Sequence, residues 1–206
     1  VSECLLKMSN IHKRFPGVYA LKGANIELNA GEVLALVGEN GSGKSTLMNV
    51  LGGIYDRDEG TIAVDGKETE INNVLDARHA GISIIHQELV LVPFLSVAEN
   101  IFISREPMKN NAIDYKKMYE DAQHFVDELG LDLDVHTKVI RLSIAMQQMV
   151  EIVKAVSFNA RIIAMDEPTS SLSDKEIDAL FENIEKLKAR GIGIIYISHR
   201  LSELRR

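Results

Sequence analysis

The chain has 206 residues, 46% of them hydrophobic, and a formal net charge of −7. That size and apolar share fit one globular domain with room for a small inserted subdomain, and the acidic balance speaks against broad nucleic-acid binding. Cys4 is the single cysteine, so no internal disulfide can form, and no stretch reaches the roughly 20 apolar residues needed to cross a bilayer.

The start, Val1-Ser2-Glu3, lacks the basic-then-apolar order of a signal peptide. Strand-like runs follow at Leu5–Met8, Ala24–Leu28 and Val33–Val37, then at Thr61–Val64 and Ile82–Ile85. Ala24–Leu28 and Thr61–Val64 mix polar and apolar residues beside Gly31, Gly60 and Asp65-Gly66, which predicts antiparallel strands of a more exposed sheet. Val33–Val37 is continuously apolar, as expected of a central strand covered on both faces, and a helix is expected from Ser45 through Leu51.

From about Leu89 to Phe158 no central strand is evident. Met118, Ala122, Phe125, Val126 and Leu129 recur at helical intervals, as do Met149, Ile152, Val153 and Val156. The apolar strands Ile162–Met165 and Ile194–Ile197 frame a third helix, which carries Ile177, Leu180, Phe181, Ile184 and Leu187 on one face. Ser173 with Glu176 is a capping-box pattern for its start, and Gly191 a stop. Alternating strands and helices predict an α/β fold with a mainly parallel sheet, divided into a core of residues 1–88 and 159–206 and a helical insertion of residues 89–158.

Gly38-Glu39-Asn40-Gly41-Ser42-Gly43-Lys44-Ser45-Thr46 contains the pattern G-x-x-x-x-G-K-[ST] between an apolar strand and a helix. Glycines there allow conformations closed to other residues, so that amide N–H groups can approach phosphate oxygens at the positive end of the helix. Lys44 would reach the β- and γ-phosphates, and the Ser45 hydroxyl would ligate Mg²⁺. The competing reading, an ordinary glycine-rich turn, requires a chance match on the order of one per cent at average residue usage. An Asn-Lys-x-Asp segment that would read guanine is absent, which points to ATP.

The strand Ile162–Met165 runs into Asp166 and Glu167. Asp166, at the carboxyl end of a buried strand, is placed to hold Mg²⁺, and Glu167 to orient and polarise an attacking water. His199 follows Ile194–Ile197 and Ser198, beside the other two strand ends, where a γ-phosphate contact outweighs a purely structural histidine. Gln87, just after Ile82–Ile85, can offer a carbonyl oxygen to Mg²⁺ or to the water.

Taken together with Lys13-Arg14-Phe15-Pro16-Gly17-Val18, Leu95-Ser96-Val97-Ala98-Glu99-Asn100, Leu142-Ser143 and Asp166-Glu167-Pro168-Thr169-Ser170-Ser171-Leu172, these features resemble an ATP-binding-cassette ATPase. More narrowly, the chain resembles the first half of the tandem ATP-binding subunits of ribose/galactose-type sugar importers. The resemblance implies a P-loop NTPase core of RecA-like type with an antiparallel β subdomain and an inserted helical subdomain. It implies Phe15 as the aromatic on adenine, with Tyr19 the second candidate, and Gln87 as the sensor of Mg²⁺ and of the membrane subunits. Glu167 would be the catalytic base, His199 the switch histidine and Ser143 a contact to nucleotide held by an opposing domain. Ser170–Ser173 would cross that interface. The implied partners are a second ATPase half, transmembrane permease subunits and, indirectly, a periplasmic or extracellular sugar-binding protein, with the chain peripheral on the cytoplasmic face of the inner membrane.

Two departures stand out. Where the family carries Leu-Ser-Gly-Gly-Gln, this chain has Leu142-Ser143-Ile144-Ala145-Met146, so side chains occupy the place where two glycines would let backbone amides close on phosphate. Met149 also stands where the family usually has a basic residue, and nothing in the sequence explains it. The chain ends at Arg206, soon after His199, which reads as the first half of a longer protein. The alternatives to a transport motor are a soluble cassette ATPase acting on DNA or ribosomes, or a regulatory domain that grips ATP with little turnover. The compact insertion and acidic charge oppose the first; Glu167 and His199 oppose the second.

Overall fold

The computed structural model describes residues 4–199 and 203. In chain order the first elements are β1 (Cys4–Phe15), β2 (Val18–Asn29), β3 (Val33–Val37), α1 (Lys44–Leu51), β4 (Glu59–Val64), β5 (Lys67–Glu68), α2 (Val74–His79) and β6 (Ile82–Ile85). There follow α3 (Val97–Phe102), β7 (Met108–Lys109), β8 (Ala112–Ile113), α4 (Tyr115–Glu128), a 3₁₀ turn at Val139–Arg141, α5 (Ile144–Ser157), β9 (Ile162–Asp166), α6 (Asp174–Ala189) and β10 (Gly193–Ser198). The described residues divide into two compact units, one within Val1–Gln87, Ala160–Pro168 and Ile184–Arg206, the other Glu88–Asn159 with Thr169–Asn183.

The first unit contains two four-stranded sheets. The antiparallel one has the order β2-β1-β4-β5, and the other, β3-β10-β9-β6, is parallel throughout. Leu5, Leu6, Met8, Ile11, Leu28 and Ile62 of the antiparallel sheet pack in one core with Ile162, Ala164, Ile195 and Ile197 of the parallel sheet and with Leu47, Met48, Val50 and Leu51 of α1. Gly193 marks how closely the layers approach, since a Cβ there would lie 2.8 Å from Leu28 Cδ2 and 3.0 Å from Leu5 Cδ2.

β1 and β2 run well past Leu5–Met8 and Ala24–Leu28. Their pairing shifts register at Met8/Ile11, Ile11/His12 and Lys13/Arg14, and Asn10 sits at φ 53°. Each shift breaks the two-residue alternation by which a strand is read from sequence.

The four residues of β9 from Ile162 to Met165 and all of β10 are buried, as their unbroken apolar runs predict, and Asp166 is half-buried. β3 departs from that expectation: it is the outer strand of the described sheet, pairing with β10, and Ala35 and Val37 are exposed. An apolar run shows that a strand belongs to such a sheet, not whether it has a neighbour on both sides.

The registers carry the functional consequence. Ser198 pairs with Val37, and Ile197 with Asp166, so β3, β10 and β9 all end at one edge of the sheet. Gly38, His199 and Glu167, the residues that immediately follow, therefore emerge side by side. In open parallel sheets this carboxyl edge is where ligands bind.

The second unit is largely helical. Val97, Ala98, Ile101 and Phe102 of α3, Met118, Ala122 and Val126 of α4, and Val150, Ile152 and Val153 of α5 are buried. Ser96 caps α3 in a reciprocal capping box with Glu99. β7 and β8 form a two-residue hairpin whose turn, Asn110-Asn111, has both residues at positive φ. No helix among the described residues is long and apolar enough to cross a membrane.

Candidate active site

The loop after β3 is shaped by its glycines. Gly43, at φ +93°, is the N-cap of α1 and provides no side-chain cap, so the first amides of the helix are left for an external acceptor. A Cβ on Gly43 would meet the Ala20 carbonyl oxygen at 2.9 Å and Leu21 Cδ2 at 3.0 Å, so β2 presses against the loop from below. Lys44 Nζ folds back over the loop and donates to the carbonyl oxygens of Gly38 at 2.7 Å and Glu39 at 2.9 Å. The ammonium group is thus held above the concavity that the amides face.

A cleft of about 600 Å³ opens here, lined by Asn40, Gly41, Gly43, Lys44, Ser45 and Thr46, by Gln87, Asp166 and Glu167, and by Phe15, Val18, Tyr19 and Ala20. Gly38, Glu39 and Asn40 also line a neighbouring recess together with His199. Ser42 Oγ lies 3.4 Å from Lys44 Nζ. The loop residues, Phe15, Gln87, Asp166, Glu167 and His199 therefore meet at one end of one unit, although they come from distant parts of the chain.

Glu167 and His199 are joined directly, Nδ1 of the imidazole lying 2.8 Å from Oε1 of the carboxylate. Glu167 has φ 47°, a conformation unusual for a residue with a Cβ, held by a 3.0 Å bond from its N–H to the Ile197 carbonyl. Its side chain is 16% exposed against 48% for His199, so the carboxylate is sheltered while the imidazole reaches solvent.

At the aromatic end, Phe15 meets Tyr55 edge-to-face with ring centres 5.2 Å apart, and Lys13 Nζ sits 5.6 Å from the Phe15 ring centre. Tyr19 is held by hydrogen bonds from Arg14 and with His12, the Arg14 guanidinium lying 4.3 Å above its ring. Lys13 and the Arg14 amide both donate to Asp58, holding its carboxyl below the ordinary range. A hydrogen bond to Glu59 raises Arg14 above its ordinary value.

Ser45, Gln87 and Asp166 line the same cleft and present hydroxyl, amide-carbonyl and carboxylate oxygens, the hard donor set that suits Mg²⁺ beside phosphate. Ser143 lies in the second unit. It caps α5, its Oγ accepting from the Met146 amide at 3.3 Å, and Ile144 at the first position of that helix is 47% exposed. Ser173 also belongs to the second unit and donates to Glu176 through both its amide and its hydroxyl, which lowers the Glu176 carboxyl.

Ala20 and Glu203 escaped the reading of the sequence. Ala20 contributes by the position of β2 alone, which no motif encodes. Glu203 is a buried acid beneath the end of β10, and a charged residue four places after His199 was its one available signal.

A family model described as ABC transporter matches residues 21–170. The chain is 50% identical over 206 residues to the galactose/methyl galactoside import ATP-binding protein MglA 1 of Photobacterium profundum, covering 99% of this chain and 41% of the relative. It is 52% identical over 200 residues to a putative ribose/galactose/methyl galactoside import ATP-binding protein of Agrobacterium fabrum, covering 97% and 40%. The chain thus spans about two fifths of the length of these curated relatives. Among solved structures, the ADP conformation of MJ1267, an ATP-binding cassette of an ABC transporter, superposes with a TM-score of 0.86 at 31% identity, over 98% of this chain and 83% of that one.

Proposed function

The chain belongs to the ABC transporter family, and from that premise we propose that it is an ATP-binding and ATP-hydrolysing segment of a sugar-import subunit, driving uptake of a monosaccharide such as ribose or galactose. The observation that carries the chemistry is the convergence of Lys44, Ser45, Gln87, Asp166 and Glu167 on one cleft, with His199 bonded to Glu167 at its edge. The sugar class is supported by relatives near 50% identity whose names describe galactose and ribose import.

In this reading the residues divide the work by position. The amides at the start of α1 and the ammonium of Lys44 bind the β- and γ-phosphates of ATP, exchanging the loop carbonyls that Lys44 now faces for phosphate oxygens. Phe15 stacks on adenine. Ser45, Gln87 and Asp166 would hold Mg²⁺, which neutralises charge on the phosphates. Glu167 accepts a hydrogen bond from the attacking water and takes its proton as the water oxygen bonds to the γ-phosphorus and the bond to ADP breaks. His199 touches the γ-phosphate and, through Nδ1, keeps the Glu167 carboxylate aimed at the water.

Residues 89–158 form the subdomain that presents Ser143 to nucleotide on an opposing ATPase half, and its Leu89–Asn100 stretch faces the permease. ATP binding closes the two halves, and hydrolysis reopens them. The segment works at the cytoplasmic face of the membrane, and a sugar-binding protein outside delivers the cargo. The test is ATPase activity of the full-length subunit assembled with its permease, across a panel of sugar-loaded binding proteins. Stimulation by a ribose- or galactose-loaded protein supports the assignment; indifference to all of them removes sugar import.

A further inference from the structure

The end of β10 carries a second, buried arrangement that the proposed chemistry does not use. Tyr196 and Ser198 stand two residues apart on that strand, so their side chains leave the same face. Both hydroxyls donate to one oxygen, Oε2 of Glu203, at 3.0 Å and 2.8 Å. Tyr196, Ser198 and Glu203 are 2%, 3% and 5% exposed. A carboxylate so enclosed is costly unless it is hydrogen-bonded, and the two hydroxyls supply such bonds to Oε2.

In sequence, His199 follows Ser198, one of the two residues this carboxylate holds. Ser198 is fixed on one side by its backbone, in register with Val37 at the root of the phosphate loop, and on the other by its hydroxyl on Glu203. The next residue is His199, whose imidazole is about half exposed and so is not held by packing. The place of its Nδ1, 2.8 Å from Glu167, is therefore set by the backbone it shares with Ser198, which the pairing with Val37 and the bond to Glu203 hold.

We infer that Glu203 is a positioning residue for His199: its carboxylate clamps Ser198 and Tyr196 so that the bend after β10 delivers the imidazole to Glu167 and the γ-phosphate. The inference rests on the reading of His199 as the γ-phosphate contact. Loss of the clamp should lower the rate and spare nucleotide affinity, because a shift on the order of 1 Å in a reacting geometry can cost about 10²-fold while the phosphate grip lies elsewhere.

The experiment uses the full-length subunit with its permease and compares Glu203→Met, Glu203→Gln and His199→Ala, alone and combined. Glu203→Met should lower kcat by about 10- to 100-fold and leave KM for ATP within about twofold. Glu203→Gln, whose amide oxygen can still accept both hydroxyls, should restore kcat to within about threefold of the native rate. In the His199→Ala background, Glu203→Met should cause no further loss. If Glu203→Met proves too unstable to assemble, Ser198→Ala removes one donor with little change in volume and should give the same kcat-selective loss. An unchanged kcat in Glu203→Met, no rescue by Gln, or an equal further loss in the His199→Ala background would overturn the inference while leaving His199 in its role. Full turnover by His199→Ala alone would overturn that role, and the inference with it.

Discussion

Oε1 of Glu167 and Nδ1 of His199 lie 2.8 Å apart, bridging the ends of two neighbouring parallel strands. The bond is a product of register: with Ile197 opposite Asp166, Glu167 stands one residue short of His199 at the same sheet edge, and the amide of Glu167 bonds back to the Ile197 carbonyl. A carboxylate held in this way at φ 47° keeps a conformation that it would not choose alone. His199→Ala should lower turnover of the assembled ATPase by about 10²-fold while nucleotide affinity stays within a few-fold, measured by steady-state phosphate release and equilibrium binding.

Gly43 tests the phosphate loop independently of the chemistry. Its φ of +93° and the Ala20 carbonyl 2.9 Å from any added Cβ leave no room for a side chain. Gly43→Ala should destabilise the fold by about 1–3 kcal/mol and weaken ATP binding by at least about tenfold, because the helix amides are displaced with it. Thermal melting and nucleotide titration read the two effects separately.

The start of α5 makes a prediction in the opposite direction. Ser143 caps the helix, and Ile144 and Ala145 follow it with side chains where, on the role proposed for Ser143, a phosphate would need bare backbone. Ile144→Gly combined with Ala145→Gly should raise the ATPase rate of the complete transporter, at a cost of about 1 kcal/mol per glycine in helix stability. An unchanged rate would show that these side chains do not limit closure.

Asp58 links stability to pH. Hydrogen bonds from Lys13 and the Arg14 amide lower its carboxyl in the folded chain, so folding favours the deprotonated form. The contribution is therefore present above the ordinary carboxylate range and is lost as pH falls through that range towards the lowered folded value. Asp58→Asn should reduce stability at neutral pH and flatten the acid side of the stability profile, followed by denaturant unfolding between pH 3 and pH 7.

Much of the site could be read from the residues because its parts are short and local. The loop from Gly38 to Thr46, the acids after Ile162–Met165 and the histidine after Ile194–Ile197 each sit at the end of an apolar strand, and the parallel sheet brings those ends to one edge. What escaped was non-local or irregular. The full length of β1 and β2 is hidden by shifts of register around Asn10, and β3 looks internal because composition does not count neighbours. The short α2 and α3 offer too few turns for a helical period, although Ser96 and Glu99 at the start of α3 spell a capping box. Glu203 is an ordinary acid in sequence, and its importance comes from burial against Ser198 and Tyr196.

The most direct measurement is single-turnover ATP hydrolysis by the assembled transporter carrying Glu167→Gln, with ATP affinity measured on the same preparation. The carboxylate lies in the cleft with Lys44 and Asp166 and is bonded to His199, so its replacement should leave ATP·Mg²⁺ binding within a few-fold and lower the hydrolytic rate by about 10²–10⁴-fold. A native rate, or loss of ATP binding in step with the rate, would contradict the assignment of Glu167 as the base that activates water in this cleft.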